Sequence, residues 1–402
     1  MTAFKFPKLT FWRVVVTIIF AAGLYATLVR FAQGLGASTN LSDPFPWGLW
    51  VGLNTLCGVG LSAGGFAIAA AVYILGLERY RPVLRAAVLT AFLGYISVVV
   101  GLLFELGLPW RIWHPILLWN RRSVLFEVAW CLMLYTTVLA LEFSPAVFER
   151  LRWHRLRDWH ARWHRRILIP LVLVGVLLSS LHQSLLGGLY LITKGKLYPL
   201  WYSSQLPAFF FLSAIAAGLA LVVMALYLCA RSLRFRLDFA ILHEVSRVIV
   251  LLLIFYALFR GLDLISRGSW EYLWKSRAET GWFWLEISLF LILPLVLLSA
   301  QRVRGSVLGL YWSCALVVMG FMANRLNVAV NALQASAGAY YFPKWTEMAI
   351  SLAVITAAVV AFYYAALHLE IFPRRVPPPP PEAEWRWVAA FGLPQHQRGT
   401  LR

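Results

Sequence analysis

Ten apolar stretches of about 20 residues, each bounded by charged or turn-rich breaks, run from one end of this chain to the other. Their approximate spans are 12–31, 47–76, 84–106, 123–146, 166–190, 206–230, 240–264, 282–300, 305–327 and 346–371. At about 1.5 Å of rise per residue, a helix of that length matches the roughly 30 Å hydrocarbon core of a bilayer. Lipid offers no partner to backbone N–H and C=O groups, so unbroken runs of this length are read as membrane-spanning helices. The expected fold class is all-α integral membrane, multi-pass. With 61% hydrophobic and 13% charged residues, a soluble protein with one large core is excluded.

The formal charge of +19 invites a nucleic-acid reading, but the basic residues lie scattered in short loops between apolar runs. Membrane topology and anionic lipid account for them, and no nucleic acid is expected. About two thirds of the Lys and Arg fall on one set of alternate loops, including Lys5, Lys8, Arg79, Arg81, Arg150, Arg152, Arg231 and Arg302. That set is expected to be cytoplasmic, with both termini on the same side. The first span follows Lys5, Lys8 and Arg13 but lacks a small-x-small cleavage pattern, and it is read as a retained helix. Residues 1–372 form the expected membrane domain, and 373–402, opening on the Pro377–Pro381 run, a Pro-rich cytoplasmic tail. Between spans four and five, Glu149–Arg166 alternates Arg and His with Leu and Trp, which fits either an interfacial helix or a solvated basic loop. The four cysteines, Cys57, Cys131, Cys229 and Cys314, sit singly inside spans, so neither a disulfide framework nor an iron–sulfur cluster is expected in this chain.

Against this apolar background the polar residues stand out. Glu127 opens span four; a carboxylate in lipid costs roughly 2.5 kcal/mol or more at the bilayer centre, so it is expected to face a protein interior or a water-lined cavity. With the topology above, Asn54, Glu105, Glu127, His182 and Gln183 fall on four consecutive spans at a similar outer depth. Such a set can hydrogen-bond two carbonyl oxygens and exchange protons, as a quinone head group requires; the same residues can also simply tie helices together. Glu142 lies 15 residues after Glu127, nearly on the same helix face and about 22 Å deeper. It reads as the inner end of a proton route or as a surface ion pair near Arg150 and Arg152. In the second half Arg260, Asp263, Glu286, Arg325 and Asn327 suggest an Arg–carboxylate brace. A membrane haem needs two axial ligands at one depth, and the eight histidines do not offer a convincing pair, so no haem is expected and no metal site is assigned.

The chain resembles the NrfD/polysulfide-reductase membrane-subunit superfamily, and within it the ten-helix HybB type, the membrane subunit of nickel–iron hydrogenases. The likeness covers about residues 10–372 and rests on Phe45 to Trp50, Gly64-Gly65, Ser123 to Glu127, Leu141 to Arg150, His182-Gln183-Ser184 and Tyr341 to Glu347. It implies two four-helix bundles with a flanking helix at each end, and a quinone site near the outer face of the first bundle. It also implies a periplasmic ferredoxin-like iron–sulfur partner that carries electrons to or from a catalytic oxidoreductase. By matching motif, the family's glutamates fall on Glu127 and Glu142, and its His-Gln-Ser on His182, Gln183 and Ser184. Glu105 stands where relatives can carry Asp, and Asn54 where some carry an acid.

The resulting expectation is a quinone-reactive subunit in a bacterial inner membrane, working with menaquinone or ubiquinone and most naturally with a Ni/Fe hydrogenase. Glu127 and Glu142 would handle protons, and Asn54, Glu105, Glu127, His182, Gln183 and Ser184 would bind the quinone. The alternatives are a DsrP-like or cytochrome-linked menaquinol-oxidising subunit of a sulfur-metabolism complex, and a proton-translocating subunit.

Overall fold

The computed structural model describes residues 10–193, 195–233 and 238–372. The expected tail, 373–402, lies outside the described residues. Among the described residues the fold is all-helical and ten helices are long and apolar enough to cross a membrane, so this is a multi-pass integral membrane protein. They are α1 (Phe11–Gln33), α2 (Trp50–Tyr73), α3 (Glu78–Glu105), α4 (Val124–Phe148), α5 (His154–Thr193), α6 (Leu206–Leu233), α7 (Phe239–Ser266), α8 (Ala278–Ser299), α9 (Val307–Gln334) and α10 (Trp345–His368).

Helix starts follow local capping chemistry. Ser123, Asp238 and Ser306 accept the first free amides of α4, α7 and α9, from Phe126, Ala240 and Gly309 respectively. At the start of α10 the Glu347 carboxylate reaches back to the Lys344 amide at 3.0 Å, and it takes the Asn40 amide at 2.9 Å and the Tyr341 hydroxyl. Tyr341 in turn accepts from Leu49 N at 2.8 Å and stacks on Phe45, so the motif before α2 and the motif before α10 form one clasp. Burial and the neighbouring carboxylate hold the Tyr341 phenol well above its ordinary pKa, which keeps it a hydrogen-bond donor.

Helix α2 is central, packing on α3, α5, α6 and α9, while α4 bridges α3 and α5. Small residues make the tightest crossings possible. A Cβ added to Gly64 would stand 2.3 Å from the Gly218 carbonyl oxygen, and one on Gly218 would stand 2.2 Å from the Gly64 nitrogen, so α2 and α6 touch backbone to backbone. The two end helices α1 and α10 pack on each other, and α10 leans on α3.

Two local expectations are corrected. Helix α5 begins at His154 rather than 166, because no Gly or Pro interrupts Glu149–Arg166 after its first turn; the stretch is the first part of a long helix, with Trp153 and Trp159 exposed but His160 and His164 buried. The Arg–carboxylate brace is also wired differently. Asp263 pairs with Arg267 at 2.7 Å and accepts from Ser203, whereas Arg260 donates to the Leu200 carbonyl. Glu286 accepts from Trp201, Asn324 and Asn327 at 2.7–2.8 Å, and Asn324 passes its own oxygen to the fully buried Arg325. An intervening amide thus joins the buried acid to the buried base, leaving both satisfied in a medium of low dielectric.

Candidate functional site

The first turns of α2, Trp50–Cys57, are π-helical, a widened geometry frequent at functional sites. They carry Asn54, which is 6% exposed and lies against Gly101 of α3; a Cβ at Gly101 would come within 2.9 Å of the Asn54 Cβ. Neither the amide nitrogen nor the amide oxygen of Asn54 has a protein partner, and the same holds for the Thr55 hydroxyl. Glu105 ends α3 with Oε2 buried and unpartnered, close enough to Tyr190 of α5 to interact electrostatically. The buried Tyr190 hydroxyl also has no protein partner, and the ring is held edge-on by Trp47 at 5.3 Å. Leaving a buried polar group unmet costs about 1–3 kcal/mol, so these four side chains, carried by three helices, mark a place for a polar ligand or water. This group lies at the end that loop charge assigns to the extracytoplasmic side.

His182 does not share that depth. It is 1% exposed, and its Nδ1 lies 3.2 Å from the Tyr95 hydroxyl. Tyr95 precedes Glu105 by ten residues on α3, about 15 Å along the axis. The correction has a simple cause: α5 continues beyond His182 to Thr193, so Tyr190 and not His182 occupies its outer end. Tyr95 meets Tyr135 of α4 edge to face at 4.7 Å, with Ser179 near both side chains. Gln183 spends its amide on the Val59 carbonyl at 2.9 Å, a helix tie, while Ser184 is half-buried one position further.

Glu127 is exposed on the surface of the chain, where an interior or cavity-facing position was expected. Its neighbours Phe126 and Trp130 pack against Trp119, and Trp130 Nε1 donates to the Pro115 carbonyl, which fixes the face that α4 turns toward the preceding loop and leaves Glu127 outside. The loop itself presents Trp110, Trp113, Leu117, Leu118 and Trp119 to the outside with Arg111, Arg121 and Arg122 among them. Aromatic and Arg side chains in such a mixture are typical of protein interfaces.

Glu142 is not the surface ion pair that was one of its two expected roles. Among the described residues it forms no salt bridge; Glu149, seven residues on, pairs with Arg85 at 2.6 Å instead. The helix end belongs to Glu149, and Glu142 sits deeper, with Oε1 buried and unpartnered beside Tyr135 and Tyr73. Two residues on, Ser144 bonds His160 Nε2 at 2.8 Å, and His160 stacks on Phe148; His164 lies against the Leu141 carbonyl. The polar groups of α2–α5 therefore form three tiers: Asn54, Glu105 and Tyr190; then Tyr95, His182, Ser179 and Tyr135; then Glu142, Tyr73, His164 and His160. Sequence reasoning missed the tyrosines and the two buried histidines, since a phenol or imidazole in an apolar or basic run carries no depth signal of its own. Among the described residues no three His, Cys, Asp or Glu side chains gather as a metal site would require.

Comparison with known proteins adds identity to this geometry. The family model described as "Polysulphide reductase, NrfD" matches residues 37–337. A protein of Nitratidesulfovibrio vulgaris is 37% identical over 369 residues, covering 89% of this chain and 93% of its own. The "probable Ni/Fe-hydrogenase 2 b-type cytochrome subunit" of Escherichia coli is 31% identical over 353 residues, 86% of this chain and 88% of its own. The "menaquinone reductase, integral membrane subunit" of N. vulgaris is 28% identical over 397 residues, 91% and 93% respectively.

Proposed function

The chain belongs to the NrfD family, and from that premise we propose that it is a quinone-reactive subunit of a bacterial inner-membrane respiratory complex. It exchanges electrons between a periplasmic ferredoxin-like iron–sulfur partner and the quinone pool, with a Ni/Fe hydrogenase as the favoured catalytic partner. The observation that carries this reading is the outer tier, where Asn54 lies against Gly101, one turn from Glu105, and Tyr190 is in electrostatic reach of Glu105, each with a buried, unpartnered polar atom. A quinone, when bound, supplies two-electron, two-proton chemistry. The Asn54 amide and Tyr190 hydroxyl would hold its carbonyl oxygens as hydrogen-bond donors, and the Glu105 carboxyl would supply and accept the protons. His182, Gln183 and Ser184 support the site from beneath. Glu127, exposed beside the aromatic loop, lies at the partner interface and exchanges protons with that side. The names of two relatives, a menaquinone reductase subunit and a hydrogenase subunit, agree with this assignment.

We assign the chain no haem, although the E. coli relative is named a cytochrome subunit. An axial pair must face each other across the cofactor; His160 and His164 lie one turn apart on a single helix, and His182 is tied to Tyr95.

In a complex purified through this chain, Glu127→Gln is expected to lower quinone-linked turnover by about 10²-fold, with dye-linked activity of the catalytic partner unchanged. Loss of the iron–sulfur partner from the purified complex would instead make Glu127 a docking residue.

A proton route through the same helices is favoured by the inner tier, because Glu142 is buried beside Tyr135 without an ion-pair partner among the described residues. Glu142→Gln in proteoliposomes with a pH-sensitive dye should abolish proton uptake from the cytoplasmic side. Uptake equal to that of the unaltered protein would remove Glu142 from the route and leave the quinone site standing.

A further inference from the structure

A recess of about 330 Å³ lies among α1, α3 and α10, sharing only α3 with the helices that carry the polar tiers. Its walls include Ser97, Val100 and Phe104 of α3, Ala353 and Ala357 of α10, and Thr27 of α1. Both hydroxyls are already engaged within their own helices, Thr27 with the Gly23 carbonyl at 2.7 Å and Ser97 with the Leu93 carbonyl at 2.8 Å. The recess therefore presents mainly hydrocarbon. It is not a product of loose packing between α1 and α10: a Cβ at Gly23 would stand 2.4 Å from Ala353 Cβ, so these two helices are in tight contact along one border.

A single turn of α3 separates this recess from the outer polar tier. Val100 and Phe104 face the recess, while Gly101 carries the Asn54 side chain on a neighbouring face and Glu105 belongs to the polar group. Arg30 fixes that turn, donating to the Phe104 and Leu106 carbonyls at 2.7 Å each, and Trp50 and Phe31 flank the Phe104 ring. A ligand with a polar head and a long apolar chain thus finds both subsites on neighbouring faces of one helix turn, about 100° apart around α3. The head must be uncharged. The polar tier offers a carboxyl, an amide and a phenol, a poor match for phosphate, and the Arg30 guanidinium that could have held phosphate is committed to backbone carbonyls.

We propose that this recess receives the isoprenoid tail of the quinone whose head group sits at Asn54, Glu105 and Tyr190; the proposal rests on the quinone reading above. It gives the end helices a role in substrate binding, since α1 and α10 create the recess against α3.

The test uses the intact complex in proteoliposomes and compares a long-tailed menaquinol with a tailless naphthoquinol. Ala357→Phe, with Ala357→Leu as the milder filling, should raise KM for the long-tailed quinol about tenfold and leave KM for the tailless one within about twofold, as lost tail binding requires. Unchanged KM for both quinols, the result if a membrane lipid chain occupies the recess, overturns the proposal. An equal rise for both also overturns it, by placing the effect on the head-group site. If the unaltered complex turns over neither quinol, the quinone reading itself fails, an outcome separate from the other two.

Discussion

Glu105→Gln is expected to reduce quinone-linked turnover by about 100-fold or more, with the complex still assembled and its dye-linked activity intact. General acid–base catalysis contributes typically ~10²–10⁴-fold, and in the outer tier Glu105 is the carboxyl within electrostatic reach of Tyr190 and one turn along α3 from the Asn54 contact at Gly101. The substitution keeps the size and one carbonyl acceptor and removes the ionisable group, so a purely packing role would not be touched by it. Turnover should fall in kcat more than in KM, because the amide can still bond a carbonyl oxygen in the ground state. Glu105→Asp moves the carboxyl back by one methylene and should recover part of the loss. A Glu105→Gln complex with unaltered quinone-linked kcat would remove this residue from the chemistry and leave Glu127 as the remaining proposed proton carrier on that side. Tyr190→Phe is an informative companion, since it deletes a donor without a charge and should weaken binding more than it slows the reaction.

Gly64→Leu should be the most damaging substitution to the fold, costing about 3 kcal/mol or more and leaving little assembled complex in the membrane. The reason is backbone proximity. At Gly64 an added Cβ meets the Gly218 carbonyl at 2.3 Å, and no rotamer change relieves contact with a main-chain atom. Separating α2 from α6 is the remaining response, and it would pull α2 away from α3 and α5, where Asn54 and the polar tiers are assembled. Gly261 of α7 provides the control. A Cβ there meets nothing within 4 Å, so Gly261→Ala should leave expression and thermal inactivation unchanged or slightly improved. Equal accumulation of Gly64→Leu and the unaltered protein in a detergent-solubilised size-exclusion profile would refute the close crossing.

The same crossing explains why some of the site was legible in the sequence and some was not. Asn54, Glu105 and Glu142 could be singled out because a polar residue in an apolar run is costly wherever it falls. Their neighbours could not. Tyr190 joins Glu105 only because α5 extends beyond His182, and Tyr135 and Ser179 join Tyr95 and His182 only because α3, α4 and α5 pack in one register.

What the sequence determined by itself is the number and type of elements: ten helices, because a bilayer rewards unbroken apolar runs of a set length and tolerates no unmet backbone. Capping residues such as Ser123, Asp238 and Ser306 added their starts. What only the tertiary structure decided is how far each helix slides along its axis and which face it turns inward. These helices are apolar nearly all round, so the pattern holds almost no information on rotation, and contacts such as Gly64 on Gly218 and Trp130 on Pro115 set it instead. That is why Glu127 emerged on the surface, His182 sank below the outer tier, and His160 and His164 turned inward from a stretch that reads as basic and exposed.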